Sequence, residues 1–182
     1  MPVVISMLRG VNVGGHNMIK MDALRALYES LKLRHPQTYL QSGNVVFQTE
    51  APDLSKLAKK IEDAIERQFA FRPSVILRTA SELRDVIARN PFEKRPAIDP
   101  ARLLVAFLAA DPVPDAHDKL RAIECEPDEL RFSGRELYIY FPNAMGRPKL
   151  KWPHIDKALQ IPYTGRNWNS VTNLLEMAES LR

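Results

Sequence analysis

Apolar residues recur along the first half of the chain at spacings that predict four strands and two helices. Val3–Leu8 is an apolar, β-branched run typical of a buried strand, and it leads into a glycine-rich loop at residues 10–15. Apolar positions at helical spacing predict an amphipathic helix from about residue 21 to 32. Residues 38–41 and 45–48 predict a hairpin around Gly43, because glycine tolerates a positive φ.

A second helix follows, with Asp53 as its expected N-cap and an apolar stripe that includes Leu57, Ile61 and Ile65. We expect Ile61 to be buried, so Ile61→Ala should cost roughly 2–5 kcal/mol of stability. A strand at residues 75–78 completes the order strand, helix, strand, strand, helix, strand. This order predicts a ferredoxin-like arrangement, with two helices on one face of an antiparallel four-stranded sheet.

The same order recurs after a connecting helix at residues 81–88 and a proline-rich segment at residues 91–100. It comprises strand 103–108, helix 116–123, hairpin strands 129–132 and 136–141, a helix near 154–159 and a strand near 163. The sequence therefore predicts an α+β protein of two ferredoxin-like halves. The halves are residues 1–90 and 101–182, joined by the linker 91–100, and a terminal helix at 168–181 belongs to the second half.

Composition favours a soluble globular protein of the cytoplasm. Hydrophobic residues make up 45% of the chain and charged residues 26%, which is ordinary for a packed domain. The longest apolar run, residues 103–110, is less than half of the roughly 20 residues that a membrane helix needs. The amino terminus lacks the basic segment of a signal peptide. A single cysteine, Cys125, excludes an internal disulfide and suits a reducing compartment.

The positive charge of the chain is concentrated near its carboxyl end. The formal net charge of +4 is too small to indicate a nucleic-acid-binding protein by itself. Residues 145–167, however, hold five basic residues and one acidic residue. We call Arg147, Lys149, Lys151, Arg166 and Asn167 the basic cluster. Such a cluster favours phosphate binding, but isolated charge runs are usually a solvated basic face, which is the alternative explanation.

The glycine-rich loop is the second candidate site. It lies between a predicted strand and a predicted helix, where backbone amides and a helix amino end can hold a phosphate or carboxylate. It does not match a nucleotide-binding fingerprint: Asn12 stands where a dinucleotide loop needs glycine, and His16 and Asn17 stand where a P-loop needs lysine and a hydroxyl. A turn that needs positive φ is the alternative explanation.

Three further features are weaker candidates. Tyr138 and Tyr140 alternate on a predicted strand and can either stack on bases or pack in the core. Cys125 lies between two glutamates, which disfavours a reactive thiolate. The four histidines lack the spacing of metal ligands, so no metal site is predicted, and the sequence indicates no particular cofactor.

Three stretches resemble a bacterial family catalogued as domain of unknown function 1697. They are Leu8–Gly15 with the following Ile19–Met21, Thr38–Phe47, and Thr164–Val171. The resemblance implies a fold of two ferredoxin-like subdomains, and it implies no established reaction, substrate or catalytic residue. Where the family tends to carry Ser-Lys-Leu, this chain has Pro148 before Lys149 and Leu150, so that hydroxyl is missing.

Taken together, these patterns favour a binding protein for a phosphorylated or other anionic ligand, with weak nucleic-acid binding as the broader version. An enzyme acting on a phosphorylated small molecule, with His16 as acid or base, is one alternative. A protein-interaction module that uses an exposed sheet face or the terminal helix is another, with an unknown partner. The predicted ligand-binding residues are Gly10, Asn12, Gly14, Gly15, His16, Lys20, Lys149, Arg166 and Asn167. Whether the two groups of residues meet depends on the tertiary structure.

Overall fold

The computed structural model describes residues 1–181. Its first four strands form an antiparallel sheet of order β2-β3-β1-β4: β1 (Val3–Leu8), β2 (Arg34–Tyr39), β3 (Asn44–Gln48) and β4 (Val75–Thr79). Helix α1 (Met21–Ser30) follows β1, α2 (Leu54–Phe69) follows β3, and α3 (Ala80–Ala88) follows β4 without a break. The predicted ferredoxin-like order is therefore present in the first half.

The second half repeats this order after a short 3₁₀ turn at Pro100–Arg102. Its sheet has the order β6-β7-β5-β8: β5 (Leu103–Leu108), β6 (Glu129–Ser133), β7 (Glu136–Tyr140) and β8 (Tyr163–Asn167). Its helices are α4 (Ala116–Arg121), α5 (Trp152–Leu159) and α6 (Trp168–Ser180). The α+β class with two ferredoxin-like halves and a terminal helix is confirmed.

The chain divides into two compact units. The first contains Met1–Asp85 and the residues from Asn173 onward, and the second contains Val86–Thr172. The end of the terminal helix, which we expected in the second half, thus groups with the first unit. There the side-chain amide of Gln48 donates to the carbonyl oxygen of Leu181 at 2.9 Å. The division into folding domains at 1–90 and 101–182 stays a prediction.

Each unit has its own apolar core between the helices and one sheet face. In the first unit the stripe of α2 is buried as predicted, with Leu57 at 7% and both Ile61 and Ile65 at 0% exposure. Asp53 caps this helix, since its carboxylate accepts the backbone N–H groups of Ser55 and Lys56 at 3.0 and 3.2 Å. In the second unit, the core includes Ala106, Leu108, Leu137, Ile139, Ile155 and Leu159.

Strand β2 differs from the sequence prediction. We expected a strand at 38–41, whereas β2 begins at Arg34 and contains Pro36. A bulge between Arg34 and Gln37 interrupts its pairing with β3, and His35 has a φ of 53°. Because β2 lies at the edge of the sheet, proline can occupy it without loss of a ladder hydrogen bond. The turn before β3 contains Gly43, with a φ of 82°.

The sheet faces turned away from these helix-facing cores are also buried. Side chains alternate along a strand, so Ile5 and Val105 point away from the cores, and both are fully buried. Tyr138 is likewise buried, and its hydroxyl donates to the carbonyl oxygen of Val86 at 2.6 Å. The packing interpretation of Tyr138 and Tyr140 is correct, and the base-stacking alternative is wrong. At Ile5, Val105 and Tyr138 these faces are therefore closed to solvent.

Candidate functional site

The glycine-rich loop contains several residues in the left-handed region of φ. Gly10, Gly14 and Gly15 have φ values of 70°, 58° and 76°. The structural explanation, a turn that needs positive φ, therefore accounts for the glycines. It does not exclude ligand binding, because Gly14 and Gly15 are exposed at the tip of the loop, between Val13 and His16, which form an isolated β-bridge.

Asn12 braces this loop from within. Its side-chain amide donates to the carbonyl oxygens of Ile19 and Gln41 at 3.0 and 2.7 Å, and its side-chain oxygen accepts the Ile19 N–H at 2.8 Å. Asn17 adds a hydrogen bond to the carbonyl oxygen of Gly10 at 3.2 Å. The Asn12 side chain, which the sequence suggested as a ligand contact, thus positions the loop against the β2–β3 turn.

His16 and Lys20 are the exposed basic residues of the loop. The backbone N–H of His16 donates to the carbonyl oxygen of Val13 at 3.0 Å, so that amide is already used. Lys20 is the N-cap of α1, and its side chain makes no capping hydrogen bond. The first turn of α1 therefore begins at Met21, a few residues after the loop, without a side-chain cap.

A buried carboxylate anchors the segment around Lys149. Asp128, which is 4% exposed, accepts the backbone N–H groups of Lys149 and Leu150 at 2.7 and 2.9 Å. These bonds hold the backbone at the position where the family tends to carry Ser-Lys-Leu. The Lys149 residue is exposed and borders a cavity of about 830 Å³.

Arg166 and Asn167, the other proposed contacts of the basic cluster, have internal hydrogen bonds. Arg166 is 6% exposed and donates to the Thr164 hydroxyl at 2.8 Å and to the Gly165 carbonyl oxygen at 2.9 Å. Burial lowers the pKa of its guanidinium to about 10. The Asn167 side-chain oxygen accepts the N–H of Ser170 at 2.8 Å and caps α6. We expected a short strand near residue 163, but β8 extends to Asn167. Strand alternation places Arg166 on the same buried sheet face as its cross-strand partner Val105.

The predicted ligand-binding residues fall into two groups. The loop residues and Lys20 belong to the first unit, whereas Lys149, Arg166 and Asn167 belong to the second. A composite site that joins the two groups stays a prediction.

Sequence reasoning missed a pocket between α4 and β6, which we call the α4–β6 pocket. It has a volume of about 300 Å³ and is lined by His117, Leu120, Arg121, Leu130, Arg131, Phe132 and Leu137. The His117 and Phe132 rings are nearly perpendicular, with an interplanar angle of 78° and a centroid distance of 4.3 Å. The only sequence signal is the i, i+4 spacing of His117 and Arg121 on α4.

Other sequence candidates have simple environments. Burial raises the pKa of the Cys125 thiol, and the nearby carboxylates of Asp128, Glu126 and Glu129 raise it further. This agrees with the interpretation of Cys125 as a poor nucleophile. Within residues 1–181 no cluster of His, Cys, Asp and Glu side chains has an arrangement suited to a metal ion. None of the helices in that range has the length and apolar character of a bilayer-spanning segment.

Two βαββαβ units, each with one apolar core under its helices, define the chain as a duplicated ferredoxin-like α+β protein. The chain belongs to the family described as "Protein of unknown function (DUF1697)", whose family model matches residues 1–138. This match confirms the family resemblance, and its range contains the motif stretches up to Phe47, whereas Thr164–Val171 lies beyond it.

The fold is similar to that of the conserved bacterial protein SP0830 from Streptococcus pneumoniae. The TM-score is 0.75 at 22% sequence identity, and the alignment covers 97% of this chain and 98% of the other. Likeness at this identity shows the fold alone. No curated protein matches the chain.

Proposed function

We propose that the protein binds a phosphorylated or other anionic ligand at the glycine-rich loop. The observation that carries this proposal is the exposed Gly14–Gly15 tip, which leads within a few residues to the start of α1, where no side chain caps the first turn. Glycine amides and the amino end of a helix both present N–H donors and partial positive charge to an anion. A phosphate or carboxylate is the ligand group that this arrangement favours.

Rigidity and local charge support the proposal. The three side-chain hydrogen bonds of Asn12 fix the loop before a ligand arrives, which reduces the entropy lost on binding. Residues 9–21 include Arg9, His16 and Lys20 but no acidic residue. The nearest carboxylate along the helix, Asp22, pairs with Arg25. An anion at the loop therefore meets little local repulsion.

We extend the proposal to Lys149 as an exposed cation that can add to the affinity from the second unit. Arg166 and Asn167 are better explained by their internal hydrogen bonds than by direct ligand contact. The one cysteine, which is a free and buried thiol, suits a cytoplasmic location for this binding activity.

A pair of variants at Gly14 tests the loop. Gly14 has a φ of 58° and ample space for a side chain, and both aspartate and asparagine tolerate this conformation. We expect Gly14→Asp to weaken binding of ATP or pyrophosphate, measured by calorimetry, by at least about tenfold, because a carboxylate repels the anion. Gly14→Asn is the matched control of equal shape and should bind nearly as well as the wild type.

Two outcomes would reject this assignment. One is equal binding of ATP and pyrophosphate by Gly14→Asp and Gly14→Asn. The other is the absence of binding to wild-type protein for inorganic phosphate, pyrophosphate and ATP. Loss of affinity in Lys149→Ala, with an unchanged melting temperature, would add Lys149 to the site, and unchanged affinity would remove it.

The possibility that the anionic ligand is a nucleic acid needs a separate titration. Because the net charge is only +4, we expect weak and nonspecific binding that falls steeply as salt increases. Labelled single- and double-stranded RNA and DNA at low salt are the appropriate probes. If none of them binds, the ligand is not a nucleic acid.

Exposed apolar residues favour a protein partner as a second candidate function. Val13, Met18 and Leu40 are 62%, 63% and 54% exposed, and Leu40 precedes Gln41, whose carbonyl oxygen binds Asn12. Large exposed apolar side chains grouped on one surface are typical of interaction sites. Co-purification of a partner with wild-type protein, and its loss in Met18→Asp, would support this function over small-molecule binding.

The enzyme alternative receives less support from the geometry. His16 is exposed, and among the described residues no hydrogen-bonded carboxylate orients its ring. A general base usually has such an orienting group. Turnover of a phosphorylated substrate that disappears in His16→Ala would nevertheless identify an enzyme, whereas binding without turnover identifies a binding protein.

A further inference from the structure

We propose that the α4–β6 pocket is a second binding site, specific for a small organic anion that has an apolar, preferably aromatic, body. This site lies entirely in the second unit and is independent of the proposed glycine-loop site. It therefore adds a ligand class that the loop, with its backbone amides, does not select.

The interior of the pocket is apolar. Leu120 and Leu137 are 4% and 0% exposed and form part of the second core, while Leu130 and Phe132 are half-buried at the edge of that core. The volume of about 300 Å³ is at the lower end of the range for small-molecule sites. An aromatic ring system or a branched aliphatic body can fill such a space and cover the partly exposed Leu130 and Phe132.

The rim of the pocket carries basic groups from two elements. His117 and Arg121 lie one turn apart on α4, and Arg131 lies on β6. No carboxylate is among the residues that line this pocket. Guanidinium groups bind carboxylate and phosphate in a two-pronged geometry, so the rim selects an anionic head group.

Both guanidinium groups can exchange their present partners for a ligand. Arg121 is 3.8 Å from Asp118, and these side chains are 79% and 85% exposed. Arg131 is 3.4 Å from Glu129. The exposed Arg121–Asp118 pair contributes little free energy, so a ligand partly shielded by the pocket competes well with it. The Glu129 side chain is only 23% exposed, so Arg131 gives up more when it leaves that partner.

Arg131 has two further contacts besides Glu129. Its guanidinium donates to the Leu130 carbonyl oxygen at 2.9 Å and lies 5.7 Å from the centroid of the Phe92 ring. Arg131 is paired with Tyr138 and alternates with Leu130 and Phe132 along β6, so its contact with Phe92 lies on the other face of the sheet. Arg131 must leave this contact to bind an anion together with Arg121.

The neighbouring cavity indicates where the anionic head group belongs. This cavity of about 830 Å³ shares Leu120, Arg121, Leu130 and Arg131 with the pocket, but it is also lined by Glu124, Glu126, Asp128 and Glu129. Four carboxylates repel an anion from that side. The head group therefore lies on the His117 side of Arg121, where no carboxylate lines the pocket, and the apolar body rests on Leu120, Leu130 and Phe132.

Two-dimensional amide NMR with 2-naphthoate as the probe tests this site in the full-length chain. We expect the titration to shift the amide signals of residues 116–121 and 130–132. The neutral analogue 2-naphthamide should bind at least about tenfold more weakly, because it lacks the charge that the rim selects. Inorganic phosphate should also bind at least about tenfold more weakly, because it lacks the apolar body.

Variants of the basic rim residues provide the second test of the pocket. Arg121→Gln and Arg131→Gln should each weaken naphthoate binding by about tenfold. Arg67→Gln, at an exposed arginine of α2 in the first unit, is the matched control and should have no effect. Because Arg121 is 79% exposed, its variant is expected to fold normally and keeps the test decisive if Arg131→Gln is unstable.

The proposal is overturned if both rim variants bind naphthoate like the wild type, if the amide and the acid bind equally, or if the shifted signals lie outside the pocket. Failure here is separable from failure of the glycine-loop proposal. Gly14→Asp should leave naphthoate binding unchanged, and Arg121→Gln should leave pyrophosphate binding unchanged.

Discussion

Arg78 on β4 and Arg166 on β8 occupy the same position in the two sheets. Arg78 is paired with Ile5 of the central strand β1, and Arg166 is paired with Val105 of the central strand β5. Both arginines are buried, and each donates a hydrogen bond to the carbonyl oxygen of the preceding residue at 2.9 Å. The duplication of the chain therefore extends to individual polar residues.

The helices that follow these strands correspond in the same way. Thr79 ends β4 and its hydroxyl accepts the N–H of Glu82 at 3.1 Å, while Asn167 ends β8 and accepts the N–H of Ser170 at 2.8 Å. The terminal helix α6 is thus the counterpart of α3. Each half has the order βαββαβα, and neither helix is an unrelated connector or appendage.

Replacement of Arg166 should mainly affect stability. We expect Arg166→Ala to lower the free energy of unfolding by about 2–4 kcal/mol, because it removes a large buried side chain and the donor for the Thr164 hydroxyl. Arg147→Ala, at an exposed member of the basic cluster, should change it by less than about 0.5 kcal/mol. Urea denaturation measures both values. Equal stability of Arg166→Ala and wild type would mean that Arg166 is a surface cation after all.

The buried pair Ser6 and Tyr28 provides a double-mutant test of the first core. Their hydroxyl groups are 2.7 Å apart and both residues are fully buried. Tyr28→Phe and Ser6→Ala should each cost about 1–3 kcal/mol, because each leaves one buried hydroxyl without its partner. The double variant should lose clearly less than the sum of the two. Strict additivity of the three unfolding free energies would show that the hydroxyl groups do not interact.

Alanine substitutions at Gly43 and Gly10 distinguish the cost of an unfavourable φ from the cost of a steric clash. Both have positive φ, at 82° and 70°, but a Cβ at Gly43 would lie 3.0 Å from the Leu8 Cβ, whereas a Cβ at Gly10 meets nothing within 4 Å. Alanine should cost about 1–2 kcal/mol at either position because of φ. Gly43→Ala should cost about 1–3 kcal/mol more because of the contact with Leu8. Thermal unfolding compares the two variants, and equal losses would contradict the close packing of Gly43 on β1.

The N-cap of α2 predicts a pH-dependent contribution to stability. The Ser55 hydroxyl and the Lys56 backbone N–H lower the pKa of the Asp53 carboxyl. Because the folded pKa lies below the unfolded value of about 3.9, the stabilisation is present above that value and is lost as pH falls through the folded pKa. The melting temperature of Asp53→Ala should therefore lie furthest below that of the wild type at neutral pH.

Two controls belong to this measurement. Asp53→Asn keeps a capping oxygen but cannot titrate, so its difference in melting temperature from Asp53→Ala should not change with pH. Asp111→Ala, at a side chain that is 92% exposed, should show no comparable effect. A melting-temperature difference between wild type and Asp53→Ala that is constant from about pH 7 to pH 2 would exclude the charged cap.

Much of the fold could be predicted because it depends on local periodicity. The stripe of α2 and the cap Asp53 are signals contained in a few neighbouring residues, and both are confirmed. The start of β2 could not be predicted, because Pro36 is compatible with a strand only at a sheet edge, and a sequence does not show which strand lies at the edge.

Some features of the candidate site could likewise be predicted from the local sequence, and others could not. The positive φ of Gly14 and Gly15 follows from residue type, since glycine adopts it without a steric cost. The brace from Asn12 depends on Gln41, which is 29 residues away, and no local pattern indicates that contact. The burial of the Arg166 side chain depends on how far β8 extends and on which face of its sheet is covered.

The sequence by itself determined the order of the elements, the duplication and the family, because hydrophobic period, caps and turns are properties of short segments. Only the tertiary structure decided which polar residues are buried and where cavities form. The α4–β6 pocket combines His117 and Arg121 with Arg131 and Phe132, and these residues line one pocket because α4 packs beside the edge strand of its sheet. Such packing depends on the shape and charge of surfaces brought together from distant segments, and short-range patterns do not encode it.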